Sequence, residues 1–98
     1  MSQVLPLLRT LAAAATKYSL FDKDTPVFGY SALLKVRSLG GGTYIAVGNA
    51  ETQIFRMSSV GSVYTISPDI PGEVNDLNTY FLLTDGTNAT VEVNARIR

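Results

Sequence analysis

The chain has no cysteine, no histidine and no tryptophan. Without cysteine there are no disulfides and no thiolate metal sites, and the redox compartment cannot be read. Without histidine, the commonest metal ligand and the commonest general base near neutral pH are both missing. Charge is also scarce: 16% of the 98 residues are charged, and eight cations balance eight anions. The basic residues Arg9, Lys17, Lys23, Lys35, Arg37, Arg56, Arg96 and Arg98 are scattered, with no run that would track phosphates. No nucleic-acid partner is therefore expected. No apolar run approaches the roughly 20 residues that span a bilayer, so no membrane partner is expected either. Apolar residues still make up 46% of the chain, enough for one folded core. A chain of this size without disulfides or metal commonly gains stability by oligomerising.

What is present is strand grammar. From Ala89 to Ile97, apolar Val91, Val93, Ala95 and Ile97 alternate with polar Thr90, Glu92, Asn94 and Arg96. Period two marks a strand with one dry and one wet face. Asp85-Gly86 supplies residues for a tight turn, so Leu82 to Ile97 reads as a hairpin. Upstream, strands are expected over Ala32–Ser38, Thr43–Gly48, Thr52–Met57, Ser62–Ile66 and Thr79–Thr84. Gly40-Gly41-Gly42 reads as a second hairpin turn, and Ser67 to Asn78 as the longest loop. Leu34, Val36, Ile45, Val47, Ile66, Leu82, Val91 and Val93 are the expected core. Seven or eight short strands separated by turns define an all-β fold, an antiparallel β-sandwich with a jelly-roll-like plan.

The N-terminus is ambiguous. Val4, Leu7, Leu8 and Leu11 have helical spacing, but the Ala12–Ala15 run has no polar face. Arg9 interrupts the apolar stretch and no basic region precedes it, which disfavours a cleaved leader. Residues 1–8 are expected as an N-terminal arm and residues 9–98 as a single sandwich domain, with mostly extended chain from Arg9 to Phe21; a short N-terminal helix and a first strand of the sandwich are the alternatives for this segment. Val4, Leu5, Leu7 and Leu8 have almost no polar cover and are the candidate partner contacts, together with Arg56 in an otherwise apolar strand.

No catalytic, cofactor-binding or metal-binding residues are assigned. Gly40–Gly42 leads into a strand and lacks the Gly-Lys-Ser/Thr of a phosphate loop. Asp22 with Asp24, and Asp69, Glu73 and Asp76, lack calcium-loop spacing and read as solvated loop carboxylates. Asp76 is alternatively placed to satisfy nearby backbone N–H groups. Ser58, Ser59 and Ser62 have no histidine to activate them. Asn88-Ala89-Thr90 matches a glycosylation sequon, read as a chance match. The five tyrosines fit the core and strand edges of a sandwich, with a subunit interface as the other reading.

From Lys35 to the C-terminus, a further pattern emerges. A Gly-rich turn precedes Thr43-Tyr44-Ile45-Ala46-Val47-Gly48-Asn49, and the apolar Gln53–Met57 strand follows. Then come a Pro-containing loop ending Asp76-Leu77-Asn78 and a Thr84-Asp85-Gly86 turn. This order resembles small virion proteins of tailed bacteriophages. The resemblance implies a capsid decoration (cement) protein, made in the host cytoplasm and located on the capsid surface. Its implied partners are itself, as a homotrimer, and the major capsid protein. A tail, adaptor or fiber-attachment role is the alternative within that class. A carbohydrate-binding module is the alternative outside it.

Overall fold

A computed structural model describes residues 3–21, 23–49, 51–67, 70 and 72–98. It is all-β, with two antiparallel sheets packed face to face around one core. In chain order the strands are β1 (Gln3–Leu11), β2 (Tyr18–Ser19), β3 (Phe28–Ser38), β4 (Ile45–Gly48), β5 (Gln53–Met57), β6 (Val63–Ile66), β7 (Asn75–Asp76), β8 (Phe81–Thr84) and β9 (Ala89–Ile97). A 3-10 turn, Leu77–Thr79, precedes β8. The first sheet has the order β1-β9-β3-β6, with β7 pairing the start of β3; the second has the order β2-β8-β4-β5.

The pairing is nested. With β7 set aside, the first strand pairs with the last (β1 with β9) and the second with the second-last (β2 with β8). The third pairs β6 and the fourth pairs β5. The chain is thus one long antiparallel ribbon, folded back at the β4–β5 hairpin. The ribbon is rolled so that β9 also meets β3 and β8 also meets β4.

All eight expected core residues are buried. The alternation in β3 and β9 puts Leu34, Val36, Val91 and Val93 against Ile45, Val47 and Leu82 of the facing sheet. Leu11, Leu20, Phe21, Met57 and Leu77 complete this core. At the open side between β5 and β6, the rings of Phe55 and Tyr64 lie 4.4 Å apart and close the edge.

Several expectations need correction. Residues 3–8 are not a detached arm but the first part of β1, which pairs β9 from Gln3↔Ile97 to Leu11↔Ala89. The domain boundary expected after Leu8 therefore falls inside a strand. Arg9–Phe21 is not mostly extended: the chain turns over residues 13–15, with Ala15 at φ 56, before the short β2. Neither Gly40–Gly42 nor Asp85-Gly86 makes a hairpin. β3 and β4 lie in different sheets, as do β8 and β9, so both turns carry the chain across the sandwich. β3 begins at Phe28 rather than Ala32, and the strand expected from Thr79 begins at Phe81. The long loop contains β7 and the 3-10 turn.

Candidate functional site

The strand alternation decides which side chains can meet a partner. In β1, Leu5 and Leu7 face inward and pack half-buried against the core. Val4 and Leu8 face outward and are 71% and 61% exposed. The four N-terminal candidates therefore split into two structural residues and two accessible ones. β1 is an edge strand, and Pro6 sits within it, where a missing backbone donor is tolerated.

Val4 and Leu8 belong to a larger surface, the outer face of the first sheet. One cross-strand row runs Leu8, Glu92, Lys35 and Val63, and the next runs Pro6, Asn94, Leu33 and Thr65. Leu33 and Val63 are exposed, so aliphatic side chains flank a polar centre. At that centre Arg37 Nη1 donates to Glu92 Oε2 at 3.2 Å, and Asn94 Nδ2 donates to Glu92 Oε1 at 3.2 Å. The Arg37–Glu92 ion pair is solvent-exposed and contributes little to stability. Among the described residues in these strands, the cations Lys35, Arg37 and Arg96 stand on this face with the carboxylate of Glu92. A shallow open depression lined by Pro6, Leu7, Leu8, Arg37, Thr90 and Glu92 lies over it.

Arg56 lies elsewhere, on the outer face of the second sheet. Its guanidinium sits 4.2 Å from the centre of the Tyr44 ring. Its in-register neighbour Ala46 is 1% exposed although it points outward. A stacked guanidinium is a cation–π contact and keeps one face available. The structure does not bring Arg56 together with Val4 or Leu8.

At one end of the sandwich, two crossing turns are tied together by Asp85. Its Oδ1 accepts from the Thr43 and Tyr44 backbone N–H groups at 2.8 and 3.1 Å, and its Oδ2 accepts from the Thr43 hydroxyl. These bonds, the hydroxyl's above all, hold the Asp85 carboxyl below its ordinary pKa. Thr84, buried behind it, donates to the Tyr44 carbonyl at 2.8 Å and accepts from the Gly86 N–H. Gly40 is required by this packing, since it has φ 60 and a Cβ there would lie 2.1 Å from the Thr87 carbonyl oxygen.

At the opposite end, Asp76 Oδ1 accepts from the Val27 and Asn78 N–H groups, the backbone role weighed for it. Asn78 in turn ties down the chain after β2, accepting from Phe21 N–H and donating to the Lys23 and Thr25 carbonyls. Asp22 and Asp69 lie outside the described residues. Among the described residues no group of three potential metal ligands converges. A second shallow depression is lined by Arg9, Lys17, Tyr18, Lys23, Asp24 and Asn78, with Arg9 Nε donating to the Ser19 carbonyl at 3.1 Å. No helix among the described residues is long and apolar enough to cross a membrane.

Sequence reasoning missed Leu33 and Val63 as surface residues of the same sheet face as Val4 and Leu8. The signal was available in the alternation of β3, but joining them needed the β1-β9-β3-β6 order, which is long-range. Comparison with known protein families and with characterised proteins finds no match.

Proposed function

We propose that this chain is a non-enzymatic structural protein of a phage virion, working by surface contact as a capsid decoration protein. It would sit as a homotrimer and clamp neighbouring major capsid subunits. The observation that carries this reading is the exposed aliphatic side chains of Val4, Leu8, Leu33 and Val63 on one sheet face. Aliphatic side chains set around a polar centre suit a surface contact rather than a reaction centre. The nested pairing of β1 with β9, β2 with β8, β3 with β6 and β4 with β5 supports a jelly-roll plan, an architecture used by viral capsid domains. The sequence pattern from Thr43 to Gly86 supports the same class. A trimer engaging several capsid subunits gains avidity, because later contacts form at high effective concentration.

The test is co-sedimentation of the purified protein with capsids assembled from the major capsid protein of the same phage. Saturable binding at a fixed ratio, with raised capsid melting temperature, is the expected result. Binding to tails but not capsids moves the protein to the adaptor class. Binding to immobilised glycans with no virion contact replaces the reading with a carbohydrate-binding module.

A further inference from the structure

We infer that Arg56 and Tyr44 form a second, preorganised contact point, on the outer face of the β2-β8-β4-β5 sheet, which docks a carboxylate side chain of a capsid subunit. This second contact presupposes the capsid binding proposed above and extends it, because that binding uses only the opposite face of the sandwich. The Arg56 guanidinium lies 4.2 Å from the centre of the Tyr44 ring. Among the described residues its side chain makes no hydrogen bond and no ion pair. A guanidinium carries five N–H donors in a planar fork, which matches a carboxylate with two parallel bonds. Stacking occupies one face of that plane and leaves the donors at its rim open to a partner.

The stack is anchored through Tyr44. Its N–H donates to Asp85 Oδ1 at 3.1 Å, and its carbonyl accepts from the Thr84 hydroxyl at 2.8 Å. Both polar groups of its backbone are thus held. Asp85 does not pair with Arg56, since its oxygens accept from Thr43 and Tyr44 instead. Arg56, Ala46 and Leu83 stand in one cross-strand row. Ala46 is buried although it points outward, and Leu83 is half-buried, so the guanidinium stands beside an apolar strip. A charge pair next to apolar side chains is screened less than one surrounded by water. A side chain already fixed in its docking geometry also loses less entropy on binding. Arg and Tyr are among the residue types that carry most of the energy in protein contacts. The two sheets pack face to face, so Arg56 points away from Val4, Leu8, Leu33 and Val63. A protein that clamps neighbouring subunits needs surfaces looking in different directions, and this face supplies the second. Two copies of this chain set face to face here would oppose Arg56 to Arg56, which like charge disfavours, whereas a carboxylate complements it.

The test is co-sedimentation with capsids assembled from the major capsid protein of the same phage, titrated at low and high salt. Arg56→Ala should weaken binding by about tenfold or more, and added salt should weaken the wild type more than this variant. Arg56→Lys should recover only part of the loss, because an ammonium cannot make the two parallel bonds. Tyr44→Leu keeps the cation but removes the stack, and should weaken binding about two- to fivefold. Amidating the capsid carboxylates with a carbodiimide and glycinamide should weaken the wild type and leave Arg56→Ala unchanged. Circular dichroism and thermal melting establish that each variant remains folded. Leu8→Glu separates this contact from the one on the first sheet. If Leu8→Glu loses binding while Arg56→Ala binds as the wild type does, the second contact is overturned and capsid decoration stands. Full binding by Arg56→Lys overturns the two-bond docking. An Arg56→Ala loss that is undiminished on amidated capsids overturns the carboxylate as partner. A wild-type chain that binds no capsid overturns both this inference and the proposed function.

Discussion

Asp85 is exposed, yet two loops depend on its charge. It receives three hydrogen bonds from Thr43 and Tyr44, and these favour the ionised carboxylate. Its pKa in the folded chain is therefore depressed. The stability it contributes is fully present above the unfolded value of about 4 and is lost as pH falls through the lower folded value. Asp85→Asn should lower the melting temperature at pH 7 and flatten the acid limb of stability; melts at pH 7 and pH 3 check this. In the core, Val93 is fully buried. Val93→Asp would bury an unpaired carboxylate at a cost of several kcal/mol, enough to unfold a marginal domain in a denaturant titration. Val93 was legible because β9 alternates cleanly. Leu11, Leu20, Phe21 and Leu77 were not, because they lie at strand ends and in turns where no period marks the inward side.

Among the elements, β1 carries the most information about function. From Val4 to Leu8 its residues are all apolar, so the alternation that separates inside from outside is hidden in the sequence and revealed only by pairing with β9. Leu7 then belongs to the fold and Leu8 to the surface. Leu7→Ala should cost about 1–2 kcal/mol, below the fully buried range because Leu7 is half-buried. Leu8→Ser should stay within about 0.5 kcal/mol of wild type in chemical denaturation. If both variants lose stability equally, the facing of β1 is wrong. Removing residues 1–8 should destabilise the domain, since most of an edge strand and the half-buried Leu5 and Leu7 go with it. The turns teach a related lesson. Gly40–Gly42 and Asp85-Gly86 have hairpin residues, but the same residues also serve a crossing between sheets. Local chemistry reports that the chain reverses, and only the partner strands report where it goes.

At the scale of the whole molecule, the nested ribbon makes the fold depend on contacts between distant parts of the chain. Among the described strands only β4 and β5 pair through a short connection; β1 pairs β9 across almost the entire sequence, with Gln3 opposite Ile97. Loop closure must be completed before such pairings stabilise anything, so folding should be slow for a small domain, in the millisecond-to-second range on the order of other all-β sandwiches. Stopped-flow tyrosine fluorescence measures this directly, and microsecond refolding would contradict the nested order. The same topology makes the two termini unequal. β1 is an edge, whereas β9 lies between β1 and β3 and supplies the buried Ala89, Val91, Val93 and Ala95. Losing an edge strand leaves a sheet with a new edge. Losing β9 separates β1 from β3 and leaves Leu34 and Val36 without their in-register neighbours Val93 and Val91. A chain ending at Asn88 should therefore lack any cooperative thermal transition, while a chain starting at Arg9 should keep one at a lowered melting temperature. A cooperative melt in the C-terminal truncation would show that β9 is not the strand that holds the first sheet together.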